Sequence, residues 1–232
     1  MNEINLAEID VDGAVRESAA AVAGDSRLDF LKKAGLAGGA AVGGGALLSA
    51  VTAPGAFAAA SHGRPPKSFG KGDVGILNYA LTLEYLEAAF YDEATASGKI
   101  TDPLTAKFLA VVTRDENAHV EALKQALGSK AARKPKFDFK GTTSDQAMFQ
   151  ATAQVLENTG VHAYFGQGFN IRRPAYLKAA ISILTVEARH AGVIGLINGG
   201  SAKDIAPDGP FDTPYTATKV LKAVKATGFI VG

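Results

Sequence analysis

Between residues 73 and 198 apolar side chains recur at three- and four-residue steps in four long runs, and this period predicts four helices. The first is expected to take Asp73 as N-cap and run to about Thr95, ending near Gly98. Pro103 opens the second at a favoured first-turn position, and Gly128 ends it. Ser144 or Asp145 starts the third, which runs to about Gly168 and carries Gly160 at a cost of about 1 kcal/mol against Ala. The fourth spans about Ala175 to Asn198, entered through the turn Arg172-Arg173-Pro174 and stopped by Gly199 and Gly200. After a Pro- and Gly-marked loop from Ala206 to Pro214, a shorter period through Val220, Leu221 and Val224 predicts a tail helix from Thr216 to Thr227. The expectation is an all-α chain with a helical domain over 72–200. The tail, 201–232, is expected to pack on it with Phe229 and Ile230 as anchors.

Each long stripe is interrupted by groups that do not belong in oil. Leu77, Ala80, Glu84, Ala88 and Tyr91 share one face, as do Phe108, Val112, Glu116, His119 and Leu123. Phe149, Ala153, Glu157, Gly160 and Tyr164 form the third stripe, and Ala180, Ile183, Glu187, His190 and Ile194 the fourth. A buried carboxylate without a partner is costly, and four in one core repel one another unless protons or cations balance them. Two divalent ions would cancel the four charges. Glu116 with His119, and Glu187 with His190, are Glu-x-x-His pairs, whose spacing lets an oxygen and a nitrogen grip one ion. A single Glu from each of two helices plus such a pair from each of the other two is the ligand set of dinuclear carboxylate bundles. The candidate metal ligands are therefore Glu84, Glu116, His119, Glu157, Glu187 and His190.

An internal echo supports one site built twice. Glu84 precedes Tyr91 by the step that separates Glu157 from Tyr164, and the Glu84–Glu116 and Glu157–Glu187 separations are nearly equal. Glu87, one turn beyond Glu84, reads equally as an additional ligand and as a residue at the stripe's edge. Tyr91 and Tyr164 are expected to hydrogen-bond the ligands or to be core tyrosines. His162, five residues after Glu157, is expected to back the ligands or to be partly buried. The phrases LEYLEAAFY, DENAHV, LENTGVHAY and VEARHA resemble the ferritin-like superfamily over about Gly72 to Gly199. Within it they resemble the branch of exported bacterial proteins related to plant desiccation-related proteins. The resemblance implies an antiparallel four-helix bundle with one long crossover between helices 2 and 3, and a dinuclear iron or manganese centre on the six residues named.

Charge and composition narrow the partners. The 232 residues carry a formal net charge of +1, which argues against nucleic acid. No Cys is present, which excludes disulfides and iron–sulfur ligation. Residues 1–25 are polar and acidic; Arg27, Lys32 and Lys33 then precede an apolar, Gly- and Ala-rich run from Ala34 to Ala53, closed by small residues to Ala60. That is the pattern of an export signal. Its Ser26 to Lys32 phrase is similar to a twin-arginine signal, with Leu28 where the second Arg belongs, so the route stays open. Cleavage would leave an exported protein after transient membrane contact, and an uncleaved run would anchor it. Ser61 to Lys71 reads as a linker. The basic stretch from Ser129 to Thr143, with Phe137 and Phe139, reads as the crossover, its aromatics covering the bundle.

These readings lead to an expected oxidation or stress-defence protein with two iron ions, or manganese, reacting with dioxygen or peroxide, in the manner of a ferroxidase or peroxidase. Assembly into oligomers is compatible with the sequence. The competing expectation is a non-catalytic protective module of the cell envelope in which metal is absent or only structural.

Overall fold

A computed structural model describes residues 63–231, so the expectations for the leader and for the start of the linker fall outside the described residues. Four long helices dominate: α1 (Gly72–Ser97), α2 (Pro103–Leu127), α3 (Gln146–Gly168) and α4 (Pro174–Asn198). A short α5 (Ala202–Ile205) and a tail helix α6 (Ala217–Thr227) follow. Among the described residues there is no strand, only an isolated antiparallel bridge between Phe137 and Ile230. α1 packs chiefly on α2 and α3 on α4, and the two hairpins meet through α2 with α4 and α1 with α3. Their directions follow from two contacts. Gln146 accepts from the backbone of Thr101 and Asp102, which puts the starts of α2 and α3 at one end. Asp73 accepts from the backbone of Arg172 and Arg173, which puts the starts of α1 and α4 at the other. α1 is therefore antiparallel to α2 and α3, and the chain from 128 to 145 traverses the bundle's length.

The boundaries carry one correction. Asp73 does not cap α1, whose N-cap is Lys71 with no side-chain bond; its carboxylate instead fastens the turn before α4. Asp102 and Asp145 cap α2 and α3 as short acceptors at these positions do. Asn78 pins the crossover to α1, donating to the carbonyls of Phe69 and Lys130 and accepting from Ala132 N–H. Crossover and tail then enclose α1: Phe139, Val220, Val224 and Phe229 join Tyr79, Phe90 and Tyr91 in one cluster. This is why α1 is apolar on nearly all sides. Ile230, by contrast, is exposed and contributes through its backbone bridge, so Phe229 alone is a side-chain anchor. Glycines admit the tail. A Cβ on Gly166 would lie 1.8 Å from the Tyr215 carbonyl oxygen, and one on Gly195 2.0 Å from that of Asp204.

Candidate metal centre

All twenty stripe positions are buried, and the interrupting groups meet at the bundle's axis. Glu84, Glu116, Glu157 and Glu187 are fully buried, and His119 and His190 nearly so. They form two groups of four: Glu84, Glu116, His119 and Glu187, and Glu116, Glu157, Glu187 and His190. Within each group one ligand atom per residue lies within 4.8 Å of all the others, and Glu116 and Glu187 belong to both. His119 Nδ1 lies 3.3 Å from Glu84 Oε2, 3.2 Å from Glu116 Oε2 and 3.1 Å from Glu187 Oε1. His190 Nδ1 lies 3.1 Å from Glu116 Oε1 and 3.3 Å from Glu157 Oε2.

All of these separations are within hydrogen-bond distance, but only His119 with Glu116 Oε2 also has the geometry of a hydrogen bond. Glu84 Oε2, Glu116 Oε1, Glu157 Oε2, both Glu187 oxygens and His190 Nδ1 are buried without a hydrogen-bond partner. Orphaned polar atoms cost about 1–3 kcal/mol each, and a fold that retains six of them at one place holds them for something else. Nitrogen and oxygen donors converging in fours suit a divalent first-row metal, so the residues present fit the group their pattern implies.

The electrostatics agree. Burial, and then the charge of Glu84, lifts the Glu116 carboxyl to about 7. Burial and then Glu116 push Glu187 well above the ordinary carboxylate range. Burial alone would lower the two histidines; the carboxylates around them win, raising His190 to about 11 and His119 also upward. Without cations the core keeps protons where cations would sit.

Around this centre the two halves are interlocked. Tyr91 on α1 donates to Glu157 on α3, and Tyr164 on α3 donates to Glu84 on α1. Seven residues along a helix is about 10 Å, too far for a tyrosine to reach its own glutamate. In antiparallel helices the same step brings each tyrosine level with the other's glutamate. Burial, then the adjacent carboxylate, raises both phenols and keeps them donors.

The two halves are not identical. Asp115, which sequence reasoning missed, accepts from the outer face of His190, Nε2 to Oδ2 3.2 Å, and orients that ring. The signal was available in its place directly before Glu116. The corresponding neighbour of Glu187 is Val186. Glu87 is buried beside the site but belongs to neither group of four, and burial followed by the charge of Glu187 raises its carboxyl. It faces Gly160, where an added Cβ would lie 3.0 Å from Glu187 Oε2 and 3.3 Å from Glu87 Oε1. His162 stands apart from the centre. Its Nδ1 is 2.8 Å from the Thr213 carbonyl oxygen, and its ring stacks on Tyr215 with centroids 4.0 Å apart, so it holds the tail.

A family model described as the ferritin-like domain matches residues 72–199. No curated protein matches the chain.

Proposed function

Since this chain belongs to the ferritin-like domain family, we propose that its buried Glu and His residues hold two iron or manganese ions in a centre that reacts with dioxygen or peroxide. The observation that supports this best is the sharing of Glu116 and Glu187 between two four-residue groups, six of whose atoms are left without hydrogen bonds. In this reading Glu84 with His119 and Glu157 with His190 each serve one ion, and Glu116 and Glu187 serve both. When bound, such a pair of ions supplies the electrons for reducing the oxidant. The chain's own residues do the rest. Tyr91 and Tyr164 hold a proton against Glu157 and Glu84 and fix the carboxylate rotamers. Asp115 holds the His190 ring. Phe108 and Ile194 at one end, and Leu77, Leu123 and Ile183 at the other, are buried apolar groups above and below the ligands. Export through the leader, membership of the desiccation-related branch and a role in oxidation or stress defence complete the proposal.

The test uses the full chain loaded anaerobically with Fe(II) and then exposed to air. Two irons per chain, oxygen uptake and a growing near-ultraviolet ferric absorption are expected, and Glu116→Ala is expected to lose stoichiometric binding. Metal bound without oxygen uptake would favour a structural, protective role. Two irons retained by Glu116→Ala would overturn the ligand assignment.

A further inference from the structure

Three basic segments that lie far apart in the sequence meet at one end of the bundle. Arg64 and Lys71 precede α1, Lys130 follows α2, and Arg172 and Arg173 precede α4; with Asp73 they line an open concavity of about 760 Å³. We propose that this concavity is a binding site for a phosphate group, carried by a soluble phosphorylated molecule or a phospholipid headgroup.

The charges there are unbalanced. Asp73 is the acidic group of the lining, and its oxygens accept the backbone N–H groups of Arg172 and Arg173 at 3.0 and 2.9 Å. Among the described residues, none of the five cations is ion-paired with a carboxylate. The two best-fixed guanidiniums rest on neutral groups instead. Arg64 donates to the Asn170 carbonyl at 2.7 Å, and Arg173 donates to the Tyr176 hydroxyl at 3.2 Å. Their positions are set while their charge is left over, and planar guanidiniums suit phosphate oxygens.

The two ends of the bundle differ in the same sense. At the far end the starts of α2 and α3 are capped by Asp102 and Asp145. At this end α1 and α4 follow Lys71 and Arg173, cations that accept nothing, and neither start has a side-chain cap. Asp73, in the first turn of α1, offsets these two helix ends only in part, and what remains of their positive dipoles adds to the five cations. The whole domain leans this way. From Gly63 to Gly232 there are 20 Lys and Arg against 16 Asp and Glu. Glu84, Glu87, Glu116, Glu157 and Glu187 are withdrawn into the core, which leaves the surface well in excess of positive charge. A near-neutral chain thus presents a concentrated cationic pocket, the arrangement that draws anions from solution.

The experiment compares the full chain with two variants of equal net charge, Lys130→Ala/Arg172→Ala/Arg173→Ala in the pocket and Lys99→Ala/Lys107→Ala/Lys203→Ala at the far end. Each carries the same leader. One arm titrates inorganic phosphate by calorimetry at low salt; the other measures sedimentation with phosphatidylglycerol–phosphatidylcholine vesicles against phosphatidylcholine alone. The pocket variant is expected to bind about tenfold more weakly than the far-end variant in at least one arm, with the loss suppressed by salt. Loss with phosphate identifies a soluble ligand, and loss with anionic vesicles alone identifies a headgroup. Pocket and far-end variants agreeing within about twofold in both arms, as general electrostatics would have it, overturn the proposal.

Discussion

Replacing Gly160 by Ala separates what the fold needs from what the centre needs. Gly160 lies inside α3, where alanine is favoured over glycine by about 1 kcal/mol. The new Cβ meets no backbone; it meets Glu187 Oε2 at 3.0 Å and Glu87 Oε1 at 3.3 Å, against ordinary carbon contacts of about 3.5–4.0 Å. The carboxylate ends are movable, so the metal-free protein relieves the contact by shifting Glu187 a few tenths of an ångström. Overpacking costs of about 1–3 kcal/mol apply only as far as that shift is resisted. The expected result is an unfolding free energy, from urea denaturation, within about 1 kcal/mol of the parent protein. Metal binding responds otherwise, because Glu187 belongs to both groups of four and its displacement weakens both. Competition titrations with a chromophoric chelator are expected to give metal affinity lower by about tenfold, or about 1.4 kcal/mol. Unchanged affinity would refute the reasoning that Gly160 keeps room for these carboxylates. A loss of apo stability beyond about 3 kcal/mol would show that they do not yield.

Tyr91→Phe and Tyr164→Phe each strip a hydrogen bond from a buried carboxylate on the opposite hairpin and are expected to cost about 1–3 kcal/mol in chemical denaturation. An effect below about 0.5 kcal/mol in both would mean the bonds are unimportant to the fold. The metal-free protein is expected to lose stability as pH rises. Folded Glu116 keeps its proton to about 7 where an ordinary glutamate loses it near 4.5, so the folded state binds more protons in that window. His190, raised from 6.5 to about 11, extends the loss above 6.5. Denaturation at pH 5, 7 and 8.5 measures this, and stability rising across the series would contradict it. Gly166→Ala puts a Cβ 1.8 Å from the Tyr215 carbonyl oxygen, which is backbone and cannot swing away. It is expected to destabilise by more than about 2 kcal/mol despite better helix propensity, with the tail becoming protease-sensitive. Retained protection would show that the tail accommodates it.

The centre was legible because carboxylates in apolar stripes are conspicuous: every one of Glu84, Glu116, Glu157 and Glu187 interrupts a three-and-four-residue pattern whose other members are buried. Helix ends were legible where proline or glycine marked them, as at Pro103 and Gly98. Interactions between segments were harder to read. Asp73 looked like a cap because it stands at a helix start, but it serves a turn about a hundred residues later. The tyrosine step was visible, but its meaning depends on which helices run antiparallel, and that is set by the crossover. α5 is too short to show a period; its capping box from Ser201 to Asp204 is its signature. The basic residues stood in a linker, a crossover and a turn, and nothing local says that these three segments share one end.

The crossed tyrosines also bear on the order in which the protein can be put together. A hairpin of α1 and α2 formed alone would bury Glu84 while its hydroxyl partner, Tyr164, lay on the other hairpin; α3 with α4 would strand Glu157 from Tyr91 in the same way. Each half would also hold one Glu-x-x-His pair facing oil with one residue of its group of four missing. Half-built states are thereby disfavoured, and neither hairpin offers an ion a complete set of donors. Docking of the halves would supply the fourth residue of each group, so any ion held there would favour assembled protein over separate hairpins.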